Sequence, residues 1–199
     1  MPQSPSLPRR LVLGSTSRYR SELLSRLHLP FDVMAPNVDE TPGVTEAPSA
    51  LALRLALAKA RAVSAAHPEA IVIGSDQVAD LQGKPLGKPG THDRAVEQLQ
   101  QMRGQSVVFQ TAVAVVCAAT GFEQVELAAV DVLFRELSDA EIERYLRIEQ
   151  PYDCAGSAKS EGLGISLLDS IRSDDPTALI GLPLIRTCRM LRAAGLELP

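Results

Sequence analysis

The chain has 199 residues, 45% of them apolar, enough for one large domain or two small lobes sharing a core. Its formal net charge of −4 supplies no global basic field for a nucleic acid polymer or an anionic membrane, so a phosphate site must be a local basic cluster suited to small phosphates. Cys117, Cys154 and Cys188 are far apart with no CxxC pair, and His28, His67 and His92 are isolated, so neither set has the spacing of a metal site.

Residues 1–9 are proline-rich and lack the apolar core of a signal peptide; they read as a flexible leader to a single domain over residues 10–199. No uncharged apolar run approaches the ~20 residues of a membrane span, so a cytoplasmic location is expected. Residues 11–13 read as a buried strand. A helix capped by Ser15 or Ser17 is predicted to about residue 28, with Leu23, Leu24 and Leu27 on its apolar face and Pro30 beyond its end. A short strand at 31–35 precedes a loop at 37–43 that carries Asp39 and Glu40. An Ala- and Leu-rich helix should follow Pro48 to about residue 66. Residues 70–74 are apolar throughout, like a strand of a sheet covered on both faces.

Residues 82–90 read as a turn-rich loop bearing Lys84 and Lys88, followed by a helix over 93–102 that Gly104 closes. Two β-rich runs, 106–118 and 123–134, flank a turn at Thr120-Gly121. Ser138-Asp139-Ala140-Glu141 has the capping-box pattern of a helix to about residue 148. Residues 153–164 contain Gly156, Gly162 and Gly164, a density that weakens helix and strand alike and suits a backbone track approached closely by a ligand. An amphipathic helix over 183–194 is the last element. Strands alternating with helices, plus an antiparallel pair, indicate α/β with a mixed sheet.

Three clusters carry candidate chemistry. Ser15-Thr16-Ser17-Arg18-Tyr19-Arg20 offers helix-start N–H groups, hydroxyls and an arginine, the parts of an anion site; an ordinary cap followed by solvated arginines has the same spelling. There is no GxxxxGK[ST] and no GxGxxG after a strand. Asp76 follows the apolar run, where a carboxylate can hold a divalent ion or deprotonate water, or else serve a turn. Glu40 can supply a second metal oxygen. Lys59 among alanines and leucines, and Lys84 and Lys88 in their loop, are each ordinary alone; with Arg20 they can offset a triphosphate.

In this order the motifs resemble a known family. Leu-Val-Leu-Gly-Ser-Thr-Ser-Arg-Tyr-Arg near the N-terminus is similar to the opening of the Maf family of nucleoside triphosphate pyrophosphatases. Val38-Asp39-Glu40, Lys59-Ala60, Gly74-Ser75-Asp76-Gln77-Val78, Gly87-Lys88-Pro89 and Gly181-Leu182-Pro183-Leu184 match it too, over roughly residues 10–194. The track from Asp153 to Gly162 looks like the branch that acts on 7-methyl-GTP; the dTTP/UTP branch more often reads Lys-Ala-Gly-Ala-Tyr. The resemblance implies a two-lobed α/β fold with a mixed twisted sheet flanked by helices, similar to inosine triphosphate pyrophosphatases. It also implies a divalent cation (Mg²⁺ or Mn²⁺), a homodimer and a cytoplasmic location. By motif position Asp76 corresponds to the proton acceptor, and Tyr19, Gln77 and Glu161 to the base-specificity positions. This chain has Tyr19 where the branch often has Trp, a smaller face for a methylated, positively charged guanine.

The expected reaction is hydrolysis between the α and β phosphates of a nucleoside triphosphate. Asp76 and Glu40 would hold the metal; Ser15, Ser17, Arg20, Lys59 and Lys88 would bind phosphate. Two alternatives stand beside 7-methyl-GTP as substrate: a pyrophosphatase for canonical or other modified nucleotides, and a nucleotide-binding regulator of cell division with little turnover.

Overall fold

The computed structural model describes residues 9–199. Most of the expected leader lies outside the described residues; Arg9, at its end, pairs with Glu69 at 2.8 Å. Seven strands form one mixed sheet, in the order β2-β1-β3-β5-β6-β7 with β4 attached to β3. They are β1 (Leu11–Gly14), β2 (Phe31–Val33), β3 (Ile71–Leu81), β4 (Lys84–Leu86), β5 (Ser106–Cys117), β6 (Phe122–Phe134) and β7 (Leu168–Arg172). Five helices flank it among the described residues: α1 (Arg18–Ser25), α2 (Pro48–Ala66), α3 (His92–Met102), α4 (Asp139–Glu149) and α5 (Leu184–Ala193).

Strand alternation decides which helix covers which face. Val12, Val72, Ala112 and Ala114 point to α2, against Leu51, Leu55 and Val63. Their neighbours Leu11, Leu13, Ile71, Ile73 and Val113 point the other way, to Leu23, Leu24, Met190 and Leu191 of α1 and α5. A third cluster fills the antiparallel end, where Ala79, Phe109, Val130 and Phe134 meet Leu99, Met102, Ile142 and Leu146 of α3 and α4. The core thus lies around two ends of one sheet, and β3 runs through both.

The approach of α2 is set by small residues. Ala52, Ala56 and Ala60, four apart, have no exposed surface. Opposite them Gly74 leaves no room for a side chain: a Cβ there would lie 2.2 Å from the Ala56 carbonyl oxygen and 2.6 Å from the Ala60 nitrogen. This contact carries Lys59, next to Ala60, over β3.

Three expectations change here. The strand predicted to end at residue 74 continues to Leu81: burial runs on through Ser75 and Asp76 and, past half-buried Gln77, through Val78 and Ala79 to Leu81. Asp76 therefore sits mid-strand and not in a turn. The 82–90 loop also contains β4, which pairs antiparallel with Ala79–Leu81. Residues 168–172, read from the sequence as no element, form the edge strand β7 on β6.

Candidate active site

Parallel pairing of β1 with β3 ends at Gly14 opposite Gly74, and β4 joins the same edge only from Ala79. β3 is paired with β5 throughout this interval, so residues 75–78 leave one edge uncovered at the middle of the sheet. A cleft of about 540 Å³ opens there. Its walls come from the start of α1, the loop at 35–40, Lys59 of α2, Gln77 of β3, Lys88, the track at 153–161 and the turn at 179–181.

The start of α1 gathers hydroxyls and a guanidinium at the cleft. Ser17 is the N-cap; its Oγ accepts from the Arg20 backbone N–H at 3.5 Å. Ser15 is not a cap: its Oγ accepts from Ser17 N at 3.2 Å and from the Arg20 guanidinium at 3.3 Å. Each hydroxyl is used as an acceptor, which leaves its hydrogen for a ligand. Arg20 Nε donates to the Gly181 carbonyl at 2.9 Å, and Ser75 Oγ donates to the same oxygen at 2.9 Å. Gly181 has φ +124°, a conformation side chains rarely adopt, so glycine is what lets this carbonyl serve both. Burial lowers the Arg20 pKa, and the carboxylates of Asp76 and Glu40 oppose that shift.

Lys59, itself buried, donates from Nζ to Asp76 Oδ1 at 2.6 Å and pairs with Glu40 Oε1 at 2.7 Å. Burial raises the Glu40 carboxyl, but the Lys59 hydrogen bond and the charges of Lys59, Lys88 and Arg20 outweigh it and leave its pKa below the ordinary value. Lys88 is exposed at the rim, while Lys84 lies on β4 and does not line the cleft.

Gln77 faces away from Asp76, as its strand neighbour must. Its Nε2 lies 2.9 Å from Thr111 Oγ1, 3.0 Å from the Ala178 carbonyl and 2.9 Å from the Leu179 carbonyl. Two of these partners only accept, which fixes the amide orientation and leaves the side-chain oxygen for a ligand. Gln77 therefore holds the 178–181 turn as well as lining the cleft.

The other end is aromatic and acidic. Tyr19 OH donates to Asp153 Oδ1 at 3.3 Å and accepts from Arg18 at 2.7 Å, and the Arg18 guanidinium lies 4.7 Å from the ring centroid. Burial pushes the Tyr19 hydroxyl up to about 12 and the Cys154 thiol up to about 12. A thiol so shifted is protonated near neutral pH and is no nucleophile. Desolvation raises the Glu161 carboxyl above its ordinary value. Glu149, not Glu161, braces the track: it pairs with Lys159 at 2.6 Å and accepts from Leu163 N at 2.7 Å. That leaves Glu161 to the cleft.

The family described as Maf-like protein matches residues 10–194. This chain belongs to the Maf family. A 7-methyl-GTP pyrophosphatase from Polaromonas sp. is 74% identical over 190 residues, 96% of this chain and 87% of the relative. One from Albidiferax ferrireducens is 69% identical over 98% of both chains, and one from Aromatoleum aromaticum is 62% identical over 96% of this chain and 98% of the relative. The mixed sheet with flanking helices agrees with the α/β fold expected of a Maf protein.

In this Maf fold Ser15, Ser17, Tyr19, Arg20, Glu40, Lys59, Gln77, Lys88 and Glu161 all line one cleft, and Asp76 meets its wall through Lys59. Sequence reasoning assigned no role to Arg18, Asn37, Asp153 or Cys154, which line it too. Arg18 and Asp153 lie inside motifs the sequence marks; what hides their part is that Asp153 meets Tyr19, 134 positions away, at 3.3 Å and Arg18 at 3.9 Å. Among the described residues no three His, Cys, Asp or Glu side chains cluster as a metal centre, and no helix is long and apolar enough to cross a membrane.

Proposed function

We propose that this hydrolase cleaves the α–β phosphoanhydride of 7-methyl-GTP, giving 7-methyl-GMP and pyrophosphate. The observation that carries the reading is one cleft with two unlike ends: Arg20, Lys59 and Lys88 beside Asp76, and Tyr19 with Asp153 and Glu161. The first suits a triphosphate. The second suits a base that is itself a cation, which gains from both an aromatic face and nearby carboxylates. The names of the Polaromonas and Albidiferax relatives support the same substrate.

Arg20 is oriented by Gly181 and Ser15 and presents its remaining N–H groups to phosphate. The Ser15 and Ser17 hydroxyls donate to phosphate oxygens, aided by the free N–H groups that open α1. Lys88 stabilises charge on the departing pyrophosphate. Asp76 takes the proton of the attacking water, and Glu161 accepts the N1–H and exocyclic N–H of the guanine. Glu40 and Asp76 would hold Mg²⁺ or Mn²⁺. The fit rests on their oxygens: hard donors that already share one cation, with phosphate oxygens available to complete the shell of a small divalent ion. When bound, the metal neutralises charge on the phosphate oxygens. We read the enzyme as cytoplasmic, in keeping with free Cys117, Cys154 and Cys188, and as a homodimer on family resemblance.

One observation favours a second reading. Arg18 already packs on the Tyr19 ring, and a tyrosine face shared with an arginine discriminates a cationic base less sharply. GTP or other purine triphosphates would then be hydrolysed comparably. Pyrophosphate release measured with 7-methyl-GTP, GTP and UTP separates the two: kcat/KM should be highest for 7-methyl-GTP, and equal values for GTP would establish the broader enzyme.

A further inference from the structure

The Lys59 ammonium lies 2.6 Å from Asp76 and 2.7 Å from Glu40, so one protein cation joins the two carboxylates assigned to the metal. Lys59 is 5% exposed and Asp76 7%, so neither group can turn to bulk water for compensation. An ammonium and a divalent ion cannot hold that oxygen pair together, since like charges a few Å apart repel strongly where water is scarce. The lysine has another place to go: the phosphate-facing groups Ser15, Ser17, Arg20 and Lys88 share the cleft with it.

We propose that Lys59 is a resident counter-ion that occupies the metal's carboxylate pair until a triphosphate arrives to receive its ammonium. The divalent cation takes the pair only as Lys59 turns to phosphate. Metal and triphosphate therefore enter as coupled ligands, and the free protein binds metal weakly. By linkage each ligand raises the affinity of the other by the same factor, ordinarily about 5–150-fold. Lys59 is then a positioning residue for the metal as well as a phosphate ligand. The inference rests on the assignment of Glu40 and Asp76 as metal ligands made above.

The test is Mn²⁺ binding to the free protein, read by electron paramagnetic resonance without nucleotide and therefore without turnover. Wild type and Lys59→Arg should bind weakly, because each keeps a cation on the pair. Lys59→Met and Lys59→Gln should bind about tenfold or more tightly, the size of an ordinary coupling, and the gain should vanish when Glu40→Gln is added. Unchanged Mn²⁺ affinity in the two neutral variants, with circular dichroism showing them folded, would overturn the proposal while leaving the metal site intact. Binding indifferent to Glu40→Gln would overturn the metal assignment and the proposal with it. If neither neutral variant folds, wild type decides. A gain in Mn²⁺ affinity with α,β-methylene-GTP that exceeds the analogue's own affinity for Mn²⁺ and is lost in Glu40→Gln supports the coupling; no gain beyond the analogue's own affinity contradicts it.

Discussion

Asp76 meets two demands in the cleft that a single neighbour reconciles. As the proposed base it must be free to receive a proton; as a nearly buried carboxylate it must be compensated, and Lys59 at 2.6 Å does this. Asp76→Asn keeps the shape and loses the basicity. Turnover should fall by ~10²–10⁴-fold, the usual cost of losing a well-placed general base. Near-normal kcat with Mg²⁺ present would remove Asp76 from the chemistry. Selectivity should separate from chemistry at the other end of the cleft. Glu161→Gln replaces one of two acceptors with a donor, which then faces a guanine hydrogen, so the ratio of kcat/KM for 7-methyl-GTP over UTP should collapse while UTP hydrolysis survives. Asp153→Asn should act differently: it keeps an acceptor for the Tyr19 hydroxyl and removes only charge, so preference for 7-methyl-GTP over GTP should weaken by less than the loss at Glu161. A proportional loss on every substrate would make either residue scaffolding.

At the scale of elements, the pair Lys59–Asp76 exists because α2 lies on β3 at the distance Gly74 allows. Gly74→Ala puts a methyl 2.2 Å from the Ala56 carbonyl oxygen, so the helix must lift. Overpacking of this kind costs about 1–3 kcal/mol. Because Lys59 rides on the displaced helix, kcat/KM should fall beyond what the loss of folded protein explains, and thermal melting beside activity per folded molecule checks both. The capping box of α4 makes a pH prediction. Glu141, bonded to the Ser138 backbone N–H and hydroxyl and to Arg135, is held down at about 2. A lowered folded-state value stabilises above the ordinary value of 4.5, and that contribution is lost as pH falls through about 2. Urea midpoints between pH 7 and pH 3 should therefore fall less steeply in Glu141→Gln than in wild type. Elements were legible where sequence and burial speak together: α2 starts at Pro48 and ends at Ala66 as its composition predicts, and the Ser138 box opens α4. They were not legible where tertiary pairing overrides local pattern. Ser75-Asp76-Gln77 reads as a strand end, yet β5 pairs with it without interruption. Leu168–Arg172 has little alternation and becomes a strand only because β6 offers an edge.

For the molecule as a whole, the decisive feature is a sheet with a gap in its middle. β1 leaves one edge of β3 before β4 reaches it, and the groups that line the gap come from almost the full length of the chain. The individual motifs were visible in sequence because their residue types are chemically marked, as with Arg20 after two serines or Asp76 after an apolar run. Their convergence was not, since Lys59 and Asp76 are joined by a helix seating and Arg20 and Gly181 by a contact across 161 positions. The division of labour in the track was equally hidden: Glu149 and Glu161 look alike in sequence, but only the first is committed to Lys159 and Leu163. The proposed activity has the two ends of this one cleft select 7-methyl-GTP and cut it between the α and β phosphates. The direct measurement is product identity and kcat/KM on 7-methyl-GTP, GTP and UTP with Mg²⁺, following nucleotide and phosphate products together. One pyrophosphate per 7-methyl-GMP formed, no diphosphate product and the highest kcat/KM on 7-methyl-GTP are expected. Orthophosphate with 7-methyl-GDP, or a higher kcat/KM on UTP, would contradict that activity.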